Sequence, residues 1–242
     1  LAAYAAVVLN ITPDHMDRYA DFSSYARSKM SIYHQCQHAV VNWDDTVVSQ
    51  SVQDYCKQTK SIIGFSIDQS GEQIEFNIIR QDNKPWLSRC GQPILAVDEC
   101  STHLRHQTIN CLAALALAET ITIDTSFAIS VLKKFSGLPH RCCWICNIDG
   151  VSYYNDSKAT NPGASSMALK TLGQQCQGTL IWLVGGMAKD ADVSCLVHLA
   201  EKYVQHMIVF GGDRSIFIDA MAGLVKTHVV ETMQQAVQCA SH

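Results

Sequence analysis

The sequence has 242 residues, 48% of them hydrophobic and 17% charged, with a formal net charge of −4 and a pI near 6.2. That balance supports a buried core large enough for one large domain or two ordinary ones. No basic run exceeds two residues, and apolar runs such as 111–118, with eight residues, fall far short of the roughly 20 a membrane helix needs, so neither nucleic acid nor a membrane is indicated as a partner.

In chain order, residues 5–9 read as a short buried strand leading into the polar segment 10–18. Helical periodicity follows over 21–36, with Phe22, Tyr25, Ala26, Ile32, Tyr33 and Cys36 on one face. A buried strand is expected at 39–42, then a β-rich stretch with strands at 61–66, 74–80 and 94–97 and turns at Ser70-Gly71 and Cys90-Gly91. Two helices follow, at about 108–119 and 125–135. Ser136-Gly137-Leu138-Pro139 breaks the pattern and divides the chain into domains 1–137 and 138–242. Beyond it, 143–148 and 151–155 form a hairpin around Asp149-Gly150, a pair favoured in type I′ turns. Apolar strands at 179–184 and 206–210 then alternate with helices near 162–172, 193–204 and 215–224. That alternation argues for an α/β fold with a parallel, doubly wound sheet.

Eleven cysteines, an odd number at irregular spacing, read as reduced core thiols of a cytosolic protein. Cys143 and Cys146 match C-x-x-C, but in a strand residues three apart point to opposite faces, so the pair should neither chelate a metal nor bridge. The chain opens Leu-Ala-Ala, without a basic segment before an apolar one. It therefore reads as a sequence entered partway through a domain, not as a signal peptide.

Ligands of doubly wound sheets bind where strands end and helices begin. Three such loops carry suitable chemistry: 155–163 (NDSKATNPG), 185–189 (GGMAK) and 211–214 (GGDR). In the first, Asp156 can accept ribose hydroxyls and Lys158 can neutralise a phosphate. Asn161 can cap the next helix, with Pro162 at its first position. Lys189 suits a carboxylate or phosphate; the Gly211-Gly212 pair lacks the full G-x-G-x-x-G spacing and is weaker. Upstream, Asp14-His15-Met16-Asp17-Arg18 follows the first strand and suits Mg²⁺ or phosphate, or is a solvated loop. Counting 100° per residue places Lys29 at the centre of an apolar helix face. A lysine there needs a partner, a lowered pKa or a covalent modification, unless its stem snorkels past Tyr25 to the surface.

Six segments taken together, NITPDHMDRY (10–19), SKMSIY (28–33), RHQTINCLAALALA (105–118), GLPHR (137–141), NDSKATN (155–161) and GGMAK (185–189), resemble the Mur ligases of bacterial cell-wall synthesis. NDSKATN resembles the D-glutamate-adding branch, because sister ligases carry a different motif there. The resemblance implies the later part of a central P-loop-type ATPase domain over 1–137. A Rossmann-like C-terminal domain with a mostly parallel sheet would follow over 138–242. It implies a cytoplasmic bacterial enzyme, monomeric, using ATP, Mg²⁺, UDP-N-acetylmuramoyl-L-alanine and D-glutamate. ATP would phosphorylate the acceptor carboxylate, and the amine would attack the resulting acyl phosphate.

Carried over by position, His15 resembles the Mg²⁺-binding histidine, and Lys29 the lysine carbamylated by CO₂ to hold a second metal. Asn110 would contact adenine, and Arg141 and Asp156 the ATP phosphates and ribose. Lys158 and Thr160 would lie near the phosphates and reacting substrate, and Lys189 would grip the D-glutamate carboxylate. His15, Lys29 and Lys158 would form the catalytic set, while His140 and Asn161 take structural parts. Gln107 and Leu104 stand where the family usually has Asn and Gly, so the resemblance implies an adenine pocket that departs slightly from the family's. No G-x-x-x-x-G-K-[ST] loop occurs in the 242 residues, so the chain by itself is expected to be inactive. Competing expectations are a sister amino-acid-adding ligase and a non-catalytic nucleotide-binding protein that keeps the fold.

Overall fold

A computed structural model describes residues 2–14, 16–100, 104–186 and 192–241. It resolves into two compact units, Leu1–Gly137 and Leu138–His242. His15 and Lys189 lie outside the described residues.

The first unit is built on a six-stranded sheet in sequence order: β1 (Ala5–Val8), β2 (His38–Asn42), β3 (Ser61–Phe65), β4 (Phe76–Gln81), β5 (Lys84–Arg89) and β6 (Gln92–Ala96). β1, β2 and β3 are parallel; β3 meets β4 in parallel at Phe65↔Phe76, and β4, β5 and β6 continue as an antiparallel meander. The central strand shows why. Ala39, Val40 and Val41 of β2 are all fully buried, as expected of a parallel strand covered on both faces. Ala39 and Val41 pack with Tyr25, Ala26, Met30, Val48 and Val52 on one side, while Val40 packs with Leu112, Leu115 and Ala116 on the other. The first layer is α1 (Phe22–Met30) and α2 (Thr46–Tyr55); the second is α3 (Arg105–Thr120), against which α4 (Thr125–Leu132) also lies.

Several elements differ from expectation. The first helix ends at Met30 and tightens into a 3₁₀ turn, Ser31–Tyr33. The tighter winding turns Ile32 outward, 48% exposed, whereas periodicity placed it inside; Met30 and Tyr33 take the buried positions. α2 was not foreseen, because its buried stripe is only Val48 and Val52, β-branched residues that suit a strand equally well. Asp45 starts it by accepting from the Val48 amide, and Val48 and Val52, one turn apart, are fully buried. β5 was also missed: Pro85 weakens a strand pattern. Asp82 and Asn83, at φ 51° and 61°, form the tight turn that returns the chain.

In the second unit, β7 (Cys143–Ile148) and β8 (Val151–Asn155) form the expected hairpin, with Asp149 and Gly150 at φ 51° and 83°. A three-stranded parallel sheet has the order β11 (Lys226–Val229), β10 (Val204–Phe210), β9 (Leu180–Gly185). The helices are α5 (Pro162–Gln175), α6 (Ser194–Tyr203), α7 (Arg214–Ala220) and α8 (Met233–Ala240), the last started by a Thr232/Gln235 capping box. β11 and α8 were not foreseen. The mixed α/β fold with mostly parallel sheets holds.

One geometric expectation is overturned. In the hairpin Trp144 opposes Tyr154 and Cys146 opposes Tyr153, so Ile145 is an extra residue in the ladder. This bulge restores the two-residue alternation. Cys143 and Cys146, opposite Asn155 and Tyr153, therefore share a face. All eleven cysteines are free. Among the described residues no helix is long and apolar enough to cross a membrane.

Candidate functional site

In the second unit, the segment after Gly137 and the loop 155–161 are knitted together by hydrogen bonds of backbone and side chains. The Cys142 amide donates to Asp156 Oδ1 at 2.8 Å, and the Lys158 amide donates to the His140 carbonyl at 3.0 Å. Asn155 Nδ2 meets His140 Nδ1 at 2.9 Å, and Asn155 Oδ1 accepts from the Ser157 amide. These contacts hold His140 and Cys142 at φ 65° and 49°, a left-handed conformation that costs non-glycine residues about 1–3 kcal/mol each. The Thr160 amide donates to the Lys158 carbonyl, and Asn161 Oδ1 caps α5 by accepting from Ala164 at 2.8 Å. The result is a fixed backbone from which Arg141, Lys158 and Thr160 project into solvent, with Asp156 half-buried between them.

Burial pushes the Asp156 carboxyl above its ordinary value of 3.8, partly offset by the Cys142 amide and the Arg141 charge. The folded state therefore binds this proton more readily than the unfolded one. Its contribution to stability is present at low pH and is lost as pH rises through 3.8 to the folded value. Asp156→Asn keeps an acceptor for Cys142 and removes the buried charge. Thermal unfolding at pH 7 should show it at least as stable as the parent, while any nucleotide dependence of the protein weakens by about tenfold if a ribose bond is lost.

The strand-end glycines form a second feature. Gly186 and Gly211 adopt φ 110° and 86°. A Cβ on Gly211 would stand 2.9 Å from the Gly186 nitrogen, and the Asp213 amide donates to the Gly186 carbonyl at 3.2 Å. The two loops thus brace each other at the carboxyl ends of β9 and β10, the edge where parallel sheets take ligands. Arg214 is paired to Glu231 at 2.9 Å.

In the first unit, Asn110 lies exposed on α3, near its amino end. Lys29 corrects the helical count: its side chain is exposed, with Nζ 5.3 Å from the centroid of the Tyr25 ring. Side chains on a helix lean toward its amino end, so the lysine stem lies over the residue one turn earlier and carries the charge to water. Tyr25 is buried and its hydroxyl pushed upward first by that burial, then by Asp14 and Tyr19. Tyr19 packs edge-on to Tyr25 and its hydroxyl donates to Ser28 Oγ at 3.3 Å. Among the described residues no group of three His, Cys, Asp or Glu side chains is placed to hold a metal. The turn Asn42-Trp43-Asp44-Asp45 went unnoticed in the sequence. Its local signal is Asn42, Asp44 and Asp45 closing the apolar run 39–41, although their partners far along the chain leave no local mark.

The Mur ligase middle domain family matches residues 1–118, and the Mur ligase glutamate ligase domain family matches residues 140–242. The UDP-N-acetylmuramoylalanine–D-glutamate ligase of Hahella chejuensis is 35% identical over 241 residues, a match covering 100% of this chain and 53% of that protein. The enzyme of the same name from Methylococcus capsulatus is 37% identical over 238 residues, covering 98% and 50%. Among solved structures, the folylpolyglutamate synthase of Mycobacterium tuberculosis complexed with ADP and AMPPCP superposes with a TM-score of 0.75 at 19% identity, over 99% of this chain and 57% of that one. That last likeness speaks for the fold alone. The chain spans about half the length of the curated relatives it matches.

Proposed function

Because this chain belongs to the Mur ligase family, we propose that it serves the ATP-dependent joining of D-glutamate to UDP-N-acetylmuramoyl-L-alanine, a step of peptidoglycan precursor synthesis in the bacterial cytoplasm. The observation that carries this reading is identity of 35% and 37% to D-glutamate ligases across essentially the whole chain, through both units. The half-length coverage makes the activity a property to be tested in the intact protein.

In this reading ATP phosphorylates the terminal carboxylate of the acceptor, turning a poor electrophile into one that expels phosphate readily. The amine of D-glutamate attacks the carbonyl carbon, the C–O bond to phosphate breaks, and an amide, ADP and phosphate result. Asp156, one oxygen held by the Cys142 amide, presents the other to ribose hydroxyls. Arg141 and Lys158 are exposed cations on a braced backbone and would lower the cost of gathering phosphate charge. Thr160 and Lys189 would orient the acceptor and the D-glutamate carboxylate, and Asn110 would bond adenine.

Mg²⁺ usually takes one or two protein ligands and completes its shell with water and substrate phosphates. His15 would hold one such ion and a carbamylated Lys29 a second, and the lack of a three-donor cluster among the described residues does not conflict with this. Bound Mg²⁺ would offset charge on the transferring phosphoryl group. Carbamylation adds CO₂ to the neutral amine and releases a proton. The exposed Lys29 is open to it, and the new carboxylate would leave the electron-rich face of Tyr25, which favours the cation.

Omitting components one at a time tests the reading. ADP release should require ATP, Mg²⁺, the UDP-linked acceptor and D-glutamate together. ADP release that ignores the acceptor would contradict it.

A further inference from the structure

The turn at the carboxyl end of β2 grips both neighbouring strands of the parallel sheet. Asn42, 3% exposed, donates from Nδ2 to the Leu9 carbonyl at 2.7 Å and accepts from the Asp44 amide at 3.0 Å. Asp45 accepts from the Ile11 amide through Oδ2 at 3.0 Å and from the Val48 amide through Oδ1 at 2.9 Å. On the other side, Asp44 accepts from the Ser66 hydroxyl and from the Ile67 and Asp68 amides. The Trp43 carbonyl accepts from Gln69 Nε2 at 2.8 Å. Asp68 in turn pairs with Arg105 at the start of α3, the helix that carries Asn110.

A parallel strand that leaves its sheet exposes backbone groups that must find partners. Here one four-residue turn supplies them for the exits of β1 and β3 together. The β1 exit is the segment that runs on to Asp14 and His15. Tyr33 secures its root: the buried hydroxyl accepts from the Val8 amide at 2.9 Å and donates to the Val40 carbonyl at 2.8 Å.

We propose that the Asn42–Asp45 turn is the positioning element of the ligand edge of the first unit, with Asp45 setting the β1 exit at Ile11, from which His15 follows four residues on in sequence; this rests on the functional reading above. Asp45 has two separable jobs. Its Oδ1 starts α2, which is a matter of stability, and its Oδ2 fixes Ile11, four residues before His15. Asparagine caps a helix as well as aspartate, but its amide nitrogen cannot accept a second N–H. Serine keeps the cap alone.

The test is Asp45→Asn, with Asp45→Ser beside it, in the intact protein. Hydrogen exchange at the Ile11 amide should quicken while Val48 stays protected. The Mg²⁺ concentration giving half-maximal ADP release should rise about tenfold, the size of effect usual for partners that orient a metal ligand, with the KM for D-glutamate unchanged. A folded variant with fast Ile11 exchange and the parental Mg²⁺ dependence overturns the proposal, as does unchanged Ile11 exchange in both variants. Should the parent itself show no Mg²⁺-dependent ligation, the functional reading fails instead, and the exchange result then decides the grip on Ile11 separately.

Discussion

Alanine in place of Lys29 is expected to lower ligase turnover by at least about a hundredfold, the loss typical when a group that stabilises transferring charge is removed. The fold should be untouched, because Lys29 is exposed and its ammonium lies over the Tyr25 ring without a buried partner among the described residues to lose. Exposed positions of this kind usually change stability by no more than about 0.5 kcal/mol. The two readouts therefore separate: kcat collapses while the unfolding midpoint stays. Added bicarbonate should not rescue the variant, since alanine has no amine to carbamylate, whereas CO₂ depletion should slow the parent reversibly. Near-normal kcat in Lys29→Ala would remove this residue from the mechanism and leave it as a surface lysine lying over a tyrosine.

A large effect on stability is expected at Gly185, where β9 ends. A methyl group there would lie 2.3 Å from the Phe210 carbonyl oxygen of the paired strand β10 and 3.0 Å from the Phe210 ring. Neither side can yield easily, because Phe210 O is backbone and Gly186 and Gly211 brace the loops beyond it. Gly185→Ala should destabilise the second unit by about 3 kcal/mol, at the upper end for overpacking. Gly212→Ala is the matched control: nothing lies within 4 Å of its Cβ, and its unfolding curve should overlay that of the parent. Equal curves for both variants would show that the close approach of β9 and β10 is not tight in solution.

What the sequence revealed followed the strength of local signals. β1, β2 and β3 stood out because each is built on a short run of apolar residues, AAVV, AVV and IIGF. The hairpin at Asp149-Gly150 and the cap at Asn161-Pro162 were legible because each rests on one residue pair whose backbone preference is strong. α2 was hidden because its buried stripe is only Val48 and Val52, β-branched residues that read equally well as strand. The bulge at Ile145 left no mark in composition, yet it reversed the relation of Cys143 to Cys146. Lys29 went astray for another reason: a helical wheel places Cβ atoms, and a four-carbon stem ends well away from its own Cβ. The turn 42–45 holds long-range bonds to residues 9, 11 and 66–69, which no local pattern can announce. The candidate ligand residues were named largely through resemblance. The fold explains how Arg141, Asp156 and Lys158 are held, and His15 and Lys189 lie outside the described residues.

The amine donor is the most direct test of the central claim. ADP release by the intact protein should be measured with ATP, Mg²⁺ and UDP-N-acetylmuramoyl-L-alanine while the amino acid is varied. The account predicts turnover with D-glutamate and background rates with L-lysine or diaminopimelate. Equal turnover with either of those would contradict it and place the protein among the sister ligases.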